Sequence, residues 1–354
     1  MAQKFSELKY DCLAIGSLPH TDLEKAMRVV EDNFKIPFWP QLVKLKKNED
    51  MILQFLENMP SFFCENEKVY LEVESEKFFC DLEQFFLDYD EIDENANSEL
   101  LEKYAINSSI AFPKFIEIIG KNYPVFAKGQ IVGPFTLSTT LTDKSGKPVF
   151  YDETLKDIIV KTLVLKALWQ IKRIKFASPS TVPIIFIDEP SISQIGTSAY
   201  LNVSPDEVSG MLKLISDAIQ KNGGLSAIHC CGKCDWEIPI KSGVDIINLD
   251  AFNFAKNLST FSEVINKFLL DGGKIAWGVV PTLDEKALKN LDVNKLSDVF
   301  ENAVKYLTKK GINEKIIREN SIFTPSCGAG ALSEELACLA MRLVRELSER
   351  YHDI

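Results

Sequence analysis

With 354 residues, 46% of them hydrophobic and 26% charged, the chain is long enough to bury about three quarters of its unfolded surface, and its composition excludes disorder. A net charge of −11 excludes nucleic acid as an expected partner, because binding phosphates needs a basic footprint. No run reaches the roughly 18 apolar residues of a membrane helix, residues 1–10 do not read as an export signal, and eight cysteines are too sparse for a disulfide scaffold. A cytoplasmic protein with reduced thiols or metal ligands is expected.

In chain order, residues 11–15 read as a short strand that ends in the turn Gly16-Ser17-Leu18-Pro19-His20. A helix over 23–34 follows, capped by Thr21 or Asp22. A Gly-Ser pair at a strand end can offer amides and a hydroxyl to a ligand, although alone it is more often a plain turn. His20 reads as an exposed turn histidine, with metal ligation or acid–base work as the alternative. Residues 36–110 are less regular. Helices are expected over 48–56 and 78–87, an alternating strand over 69–73, and a solvated acidic face over 88–102. The dense phenylalanines (Phe55, Phe62, Phe63, Phe78, Phe79, Phe85 and Phe86) read as core or as the lining of a cavity for a flat cofactor. This region is expected to elaborate the entrance of a larger fold.

From residue 124 the rhythm sharpens. Strands are expected over 125–132, 182–187, 225–228, 244–249, 274–280 and 321–325, with helices over 154–175, 205–222, 293–310 and 333–351. Apolar strands alternating with amphipathic helices indicate parallel β/α units. Polar and metal-competent residues cluster where these strands end: Asp188-Glu189-Pro190, His229, Asp250 and Cys327. In a (β/α)8 barrel those ends form the active-site face, so a single-domain α/β TIM barrel with an N-terminal elaboration is the expected fold. A doubly wound sheet is the alternative. No phosphate-cradling glycine motif follows the first strand.

The stretch from Ala227 through His229, Cys230, Cys231 and Gly232 to Cys234 carries the chemistry. Imidazole and thiolate are the donors zinc prefers. Alternate residues of an extended strand face one way, so His229 and Cys231 share a side and Cys230 points into packing. Cys327, ending the last strand, can reach the same ion in a closed barrel. That gives His, Cys and Cys with one open position, the arrangement of a catalytic zinc. A Cys231-x-x-Cys234 knuckle would instead close a structural site, and inert buried cysteines are the plainest alternative.

These motifs, together with Ile15-Gly16-Ser17-Leu18-Pro19, Lys128-Gly129, Gly133-Pro134 and Pro325-Ser326-Cys327-Gly328, resemble the catalytic half of cobalamin-independent methionine synthase. That family belongs to a superfamily shared with uroporphyrinogen decarboxylase and the corrinoid:thiol methyltransferases. The resemblance implies zinc on His229, Cys231 and Cys327, with Asp250 at the place of a fourth, glutamate ligand. It implies homocysteine held through Ile15, Ser17 and Asp188. A second carboxylate for the substrate amine has no firm place; Glu72 is one position for it. The sequence leaves no room for the family's second barrel, and Trp277-Gly278-Val279-Val280-Pro281 lacks its proton-transfer histidine. Methylcobalamin, free or on a corrinoid protein, is therefore the expected methyl donor, and homocysteine or a related small thiol the expected acceptor. Alternatives are another thiol such as coenzyme M, a metal-free decarboxylase, and a non-catalytic zinc- or corrinoid-binding protein.

Overall fold

The computed structural model describes residues 2–60, 62–65, 68–71, 76–95 and 98–353. Strands β1 (Phe62–Glu65) and β2 (Lys68–Leu71) form an antiparallel hairpin. Its second strand pairs in parallel with the two-residue β4 (Thr142–Asp143). The main sheet contains β3 (Phe126–Val132), β5 (Val182–Asp188), β6 (Leu225–Cys230), β7 (Ile246–Leu249), β8 (Lys274–Val280) and β9 (Ser321–Pro325). These six strands are all parallel and lie in sequence order, β3-β5-β6-β7-β8-β9, in a curled sheet. Their apolar runs are buried throughout, as strands covered on both faces must be.

Helices return the chain between strands, and side chains start several of them where the sequence supplies a cap. Asp152 accepts from the Leu155 amide to open Glu153–Ala177, Ser204 opens Pro205–Lys221, and Ser333 opens Glu334–His352. The helices Phe112–Asn122, Ala251–Leu258 and Ser262–Leu270 were not expected from the sequence. The expected helix over 48–56 is two short 3-10 turns, Lys47–Glu49 and Leu53–Phe55. Between them Asp50 Oδ1 accepts the amides of Ile52 and Leu53, a local bond that competes with helical pairing. Conversely, one helix, Glu76–Asn95, runs through the start of the acidic stretch. Phe55, Phe78 and Phe85 are buried in the main core, whereas Phe79 is exposed. The expected strand over 69–73 coincides with β2 up to Leu71; Glu72 and Val73 lie outside the described residues.

The two edges of the main sheet are met by extended but irregular segments. Residues around Cys12 pair in parallel with Phe323 of β9, with the Leu13 amide donating to Phe323 and the Phe323 amide to Asp11. Ser17 pairs with Gln41, and Phe38 pairs with Lys128 of β3. The expected first strand is thus a single bridge rather than a ladder. Pro37 and Pro40 lack the amides a ladder needs, and the Ile15 carbonyl accepts from the Lys128 ammonium instead of a neighbouring strand. The start of the 36–110 region therefore lies against β3 and the first segment.

The faces of the main sheet carry different cores. The helices pack on one side in the large cluster that includes Ile185, Ile187, Ile228 and Ile247. The alternate residues form a second, smaller cluster with Leu13, Ile15, Phe126, Ile184, Phe186, Ala227, Ile246, Ala276 and Ile322. Among the described residues no helix is long and apolar enough to cross a membrane.

Candidate metal centre

Continuing the inner-face alternation toward the C-terminal strand ends changes the chemistry abruptly. Beyond Phe126 come Lys128 and Gln130, and beyond Phe186 comes Asp188. His229 follows Ala227, Asn248 follows Ile246, and Thr324 follows Ile322. All six are buried. The register aligns Asp188 with His229 and His229 with Asn248 across three neighbouring strands. An apolar plug thus supports a layer of polar side chains, and the next layer out contains the thiols.

His229, Cys231 and Cys327 converge there: their ligand atoms all lie within 4.8 Å of one another. Around a tetrahedral zinc, bonds of about 2.0–2.3 Å place donors under about 4 Å apart, so a small contraction would seat an ion. The His229 ring is already oriented for one. Its Nδ1 lies 2.5 Å from Asn248 Oδ1, while Asn248 Nδ2 donates to the Ala276 carbonyl (2.7 Å) and the Thr324 hydroxyl (2.8 Å). Those two donations fix which end of the amide faces the histidine, and so place the proton on Nδ1. His229 Nε2 is buried on the side of the thiols, without a hydrogen-bond partner of its own. A partnerless buried nitrogen beside two sulfurs is the donor set of a metal site.

The electrostatics agree. The adjacent Cys327 thiol, followed by the His229 ring, lowers the Cys231 pKa to about 4, despite burial. Proximity to Cys231, reinforced by burial, pushes the Cys327 thiol well above its ordinary value. Burial disfavours a charged His229, but Cys231 and Asp188 outweigh it and raise the pKa to about 9. Without a metal, a thiolate, a thiol and an imidazolium share this corner.

The remaining expected residues fall in different places. Cys234 is buried outside the group and its thiol donates to the Asp235 carbonyl (3.4 Å), so it does not join Cys231 in a ligand set. Asp250 is buried next to the group but is not part of it. Its Oδ1 accepts the Asn253 amide (3.0 Å) and its Oδ2 the Asn253 side chain (2.7 Å), capping the helix Ala251–Leu258. Asp188 lies below the thiols with Oδ1 buried and unpartnered; burial raises its pKa, and His229 and Lys128 counteract this. The Ile15 side chain belongs to the inner core, and its carbonyl is held by Lys128. The Ser17 hydroxyl accepts the Gly330 amide at 3.2 Å, beside Cys327. His20 is buried rather than exposed, 3.7 Å from the Cys338 sulfur and outside the metal-competent group.

Glu189 has a purely structural position. Its carboxylate accepts the amides of Phe135 (2.7 Å) and Thr136 (2.9 Å) and the Thr136 hydroxyl (2.6 Å) at the start of the helix Pro134–Thr140. Gly133 makes room for it, since a Cβ there would stand 2.0 Å from Glu189 Cγ. Asn248 is a functional-layer residue that the sequence reading passed over, and Lys128 one that it named in a motif without giving it a role. Both carry a usable signal: Asn248 is the one polar residue of its strand, and Lys128 alternates with Gln130 inside a strand that is otherwise small or apolar. Lys128 is fully buried, bonded to Gln130 Oε1 at 2.9 Å and 4.7 Å above the Phe186 ring, and burial lowers its pKa to about 7. A cavity of about 870 Å³ opens elsewhere, at the N-terminal ends of β7 to β9, and is lined by Phe5, Val244, Phe268 and Lys274. It contains none of the metal-competent residues.

No family model matches the chain, and no curated protein matches it. The functional reading therefore rests on the residues themselves.

Proposed function

We propose that this chain is a zinc-dependent thiol methyltransferase that moves a methyl group from a methylcorrinoid to homocysteine, forming methionine. The fold we read for it is a (β/α)8 barrel whose first two strands are the irregular segments around Cys12 and Phe38. The observation that carries the proposal is the convergence of His229, Cys231 and Cys327, with Asn248 fixing the histidine proton on the nitrogen that faces away from them.

These residues fit a zinc ion with one neutral and two anionic donors and a position left for substrate. Zinc bound there would keep a substrate thiol deprotonated at neutral pH, where a free thiol with a pKa near 8.5 is only a minor fraction thiolate. The two cysteines make the set electron-rich, which keeps the bound sulfur nucleophilic. A methylcorrinoid would supply the methyl group as a cation equivalent, its bonding pair staying with the corrinoid, and the acceptor sulfur held beside His229, Cys231 and Cys327 would supply the pair for the new thioether bond. Asp188, with an unpartnered buried oxygen one layer below, supports an acceptor with an ammonium group. That feature favours an amino-acid thiol over a sulfonate such as coenzyme M. Positioning of the two reactants supplies much of the remaining acceleration.

The test is methyl transfer from methylcobalamin to homocysteine by purified, zinc-loaded protein, followed through the cobalamin spectrum. Turnover that disappears in Cys327→Ser supports the reading. Absence of turnover with stoichiometric zinc, with coenzyme M and methyltetrahydrofolate also tried, overturns it.

A further inference from the structure

We propose that Ser17 is a positioning residue that holds Cys327 in the metal-ligating group. The proposal rests on the reading that His229, Cys231 and Cys327 bind a metal, and it assigns Ser17 a task separate from contact with substrate.

The three ligands are not held equally. His229 and Cys231 sit two residues apart at the end of one strand, so β6 places both. Cys327 must be brought to them by the loop that follows β9. On one side that loop is tied to the β8 end: the Ser326 amide donates to the Val280 carbonyl (2.8 Å), and the Thr282 hydroxyl donates to the Cys327 carbonyl (3.1 Å). On the other side the ties converge on Ser17. The Ala329 amide donates to the Ser17 carbonyl at 2.9 Å, and the Gly330 amide to the Ser17 hydroxyl at 3.2 Å. The fit is close enough that a Cβ on Gly328 would stand 2.2 Å from Ser17 Oγ.

Ser17 can act as an anchor because its own loop is fixed from behind. The buried Lys128 ammonium holds the Ile15 carbonyl. Gln41 holds both neighbours of Ser17: its amide donates to the Gly16 carbonyl (3.2 Å), and its carbonyl accepts from the Leu18 amide (3.0 Å). A continuous set of bonds therefore runs from the barrel interior through Ile15, Gly16 and Ser17 to the loop that presents Cys327. The Ser17 hydroxyl accepts in this arrangement, which leaves its own proton free to donate into the site.

The experiment titrates the full-length, metal-free chain with Cd2+, reading the thiolate-to-metal absorption, and measures hydrogen exchange at Ala329 and Gly330. Ser17→Ala removes one partly buried hydrogen bond and is expected to weaken Cd2+ binding by about five- to tenfold while speeding exchange at Gly330. Ser17→Thr, which keeps the hydroxyl, is expected to restore both. Gly328→Ala gives the same test from the opposite partner, because its methyl displaces the Ser17 hydroxyl. Wild-type affinity and exchange in both alanine variants would overturn the proposal alone. Failure of the wild type to take up Cd2+ would overturn the metal reading and this proposal with it.

Discussion

His229 Nδ1 and Asn248 Oδ1 meet at 2.5 Å at the ends of two neighbouring strands, both side chains buried. Asn248 is in turn held by Thr324 and the Ala276 carbonyl, so one amide links four strands, β6 to β9, to the orientation of one imidazole. A ligating histidine whose second nitrogen is held in this way has its tautomer set before the metal arrives.

Replacing Asn248 by alanine should therefore weaken metal binding by about ten- to a hundredfold, without removing a ligand. Competition between the protein and a chromophoric chelator for Zn2+ measures this. Affinity equal to the wild type would show that the ring needs no such support.

The two candidate cysteine partners of Cys231 make opposite predictions. Cys327→Ser should abolish tight Zn2+ and Cd2+ binding, since it removes one of three converging donors. Cys234→Ser should leave metal stoichiometry at the wild-type value, because that thiol donates to the Asp235 carbonyl and lies outside the converging group. Metal analysis after gel filtration distinguishes them; loss of metal in Cys234→Ser would restore the closed-site reading.

Metal binding should release protons. With no metal, Cys231 is already a thiolate at neutral pH, its pKa lowered to about 4. His229, raised to about 9, and Cys327, raised above its ordinary value, are still protonated there. A metal must expel both, so about two protons should appear per ion bound near pH 7, and affinity should fall steeply as pH falls. A weakly buffered Cd2+ titration with a pH indicator reads the number directly. No proton release would contradict the charge assignment.

Asp188→Asn should separate binding from folding. An unpartnered buried carboxylate costs stability, so neutralising it should leave the melting temperature unchanged or raised. If Asp188 faces the acceptor's ammonium, KM for an amino thiol should rise by about ten- to a hundredfold, the worth of a charge-assisted hydrogen bond. KM for a thiol without an amine should not change. Equal effects on both thiols would remove Asp188 from the amine's place.

Glu189→Gln should behave in the opposite way. It exchanges a carboxylate that accepts three donors for an amide with only one accepting oxygen, and should cost about 1–3 kcal/mol of stability. Denaturant unfolding measures the loss. An unchanged midpoint would show that the helix Pro134–Thr140 needs no such cap.

Sequence alone was enough for the parts of this molecule in which local pattern and structure agree. The six main strands are apolar runs bounded by polar ends, and they occur within two residues of where the pattern places them. His229 and Cys231 share a face because alternation along one strand requires it. The elements the pattern could not give are those made by partners distant in the chain. Residues 11–18 meet their neighbours only at single bridges, and residues 37–41, interrupted by Pro37 and Pro40, lack the amides a ladder needs. Their pairing with β9, with β3 and with each other is a product of the curl of the sheet. The same curl brings Cys327 to Cys231 and sets Asn248 behind His229, because side chains on different strands meet only once register and curvature are fixed. The sequence by itself determined which residues could bind a metal and which strand ends carry them. The tertiary structure decided which three come together, since that depends on strand order, stagger and the loops that fasten the last ligand in place.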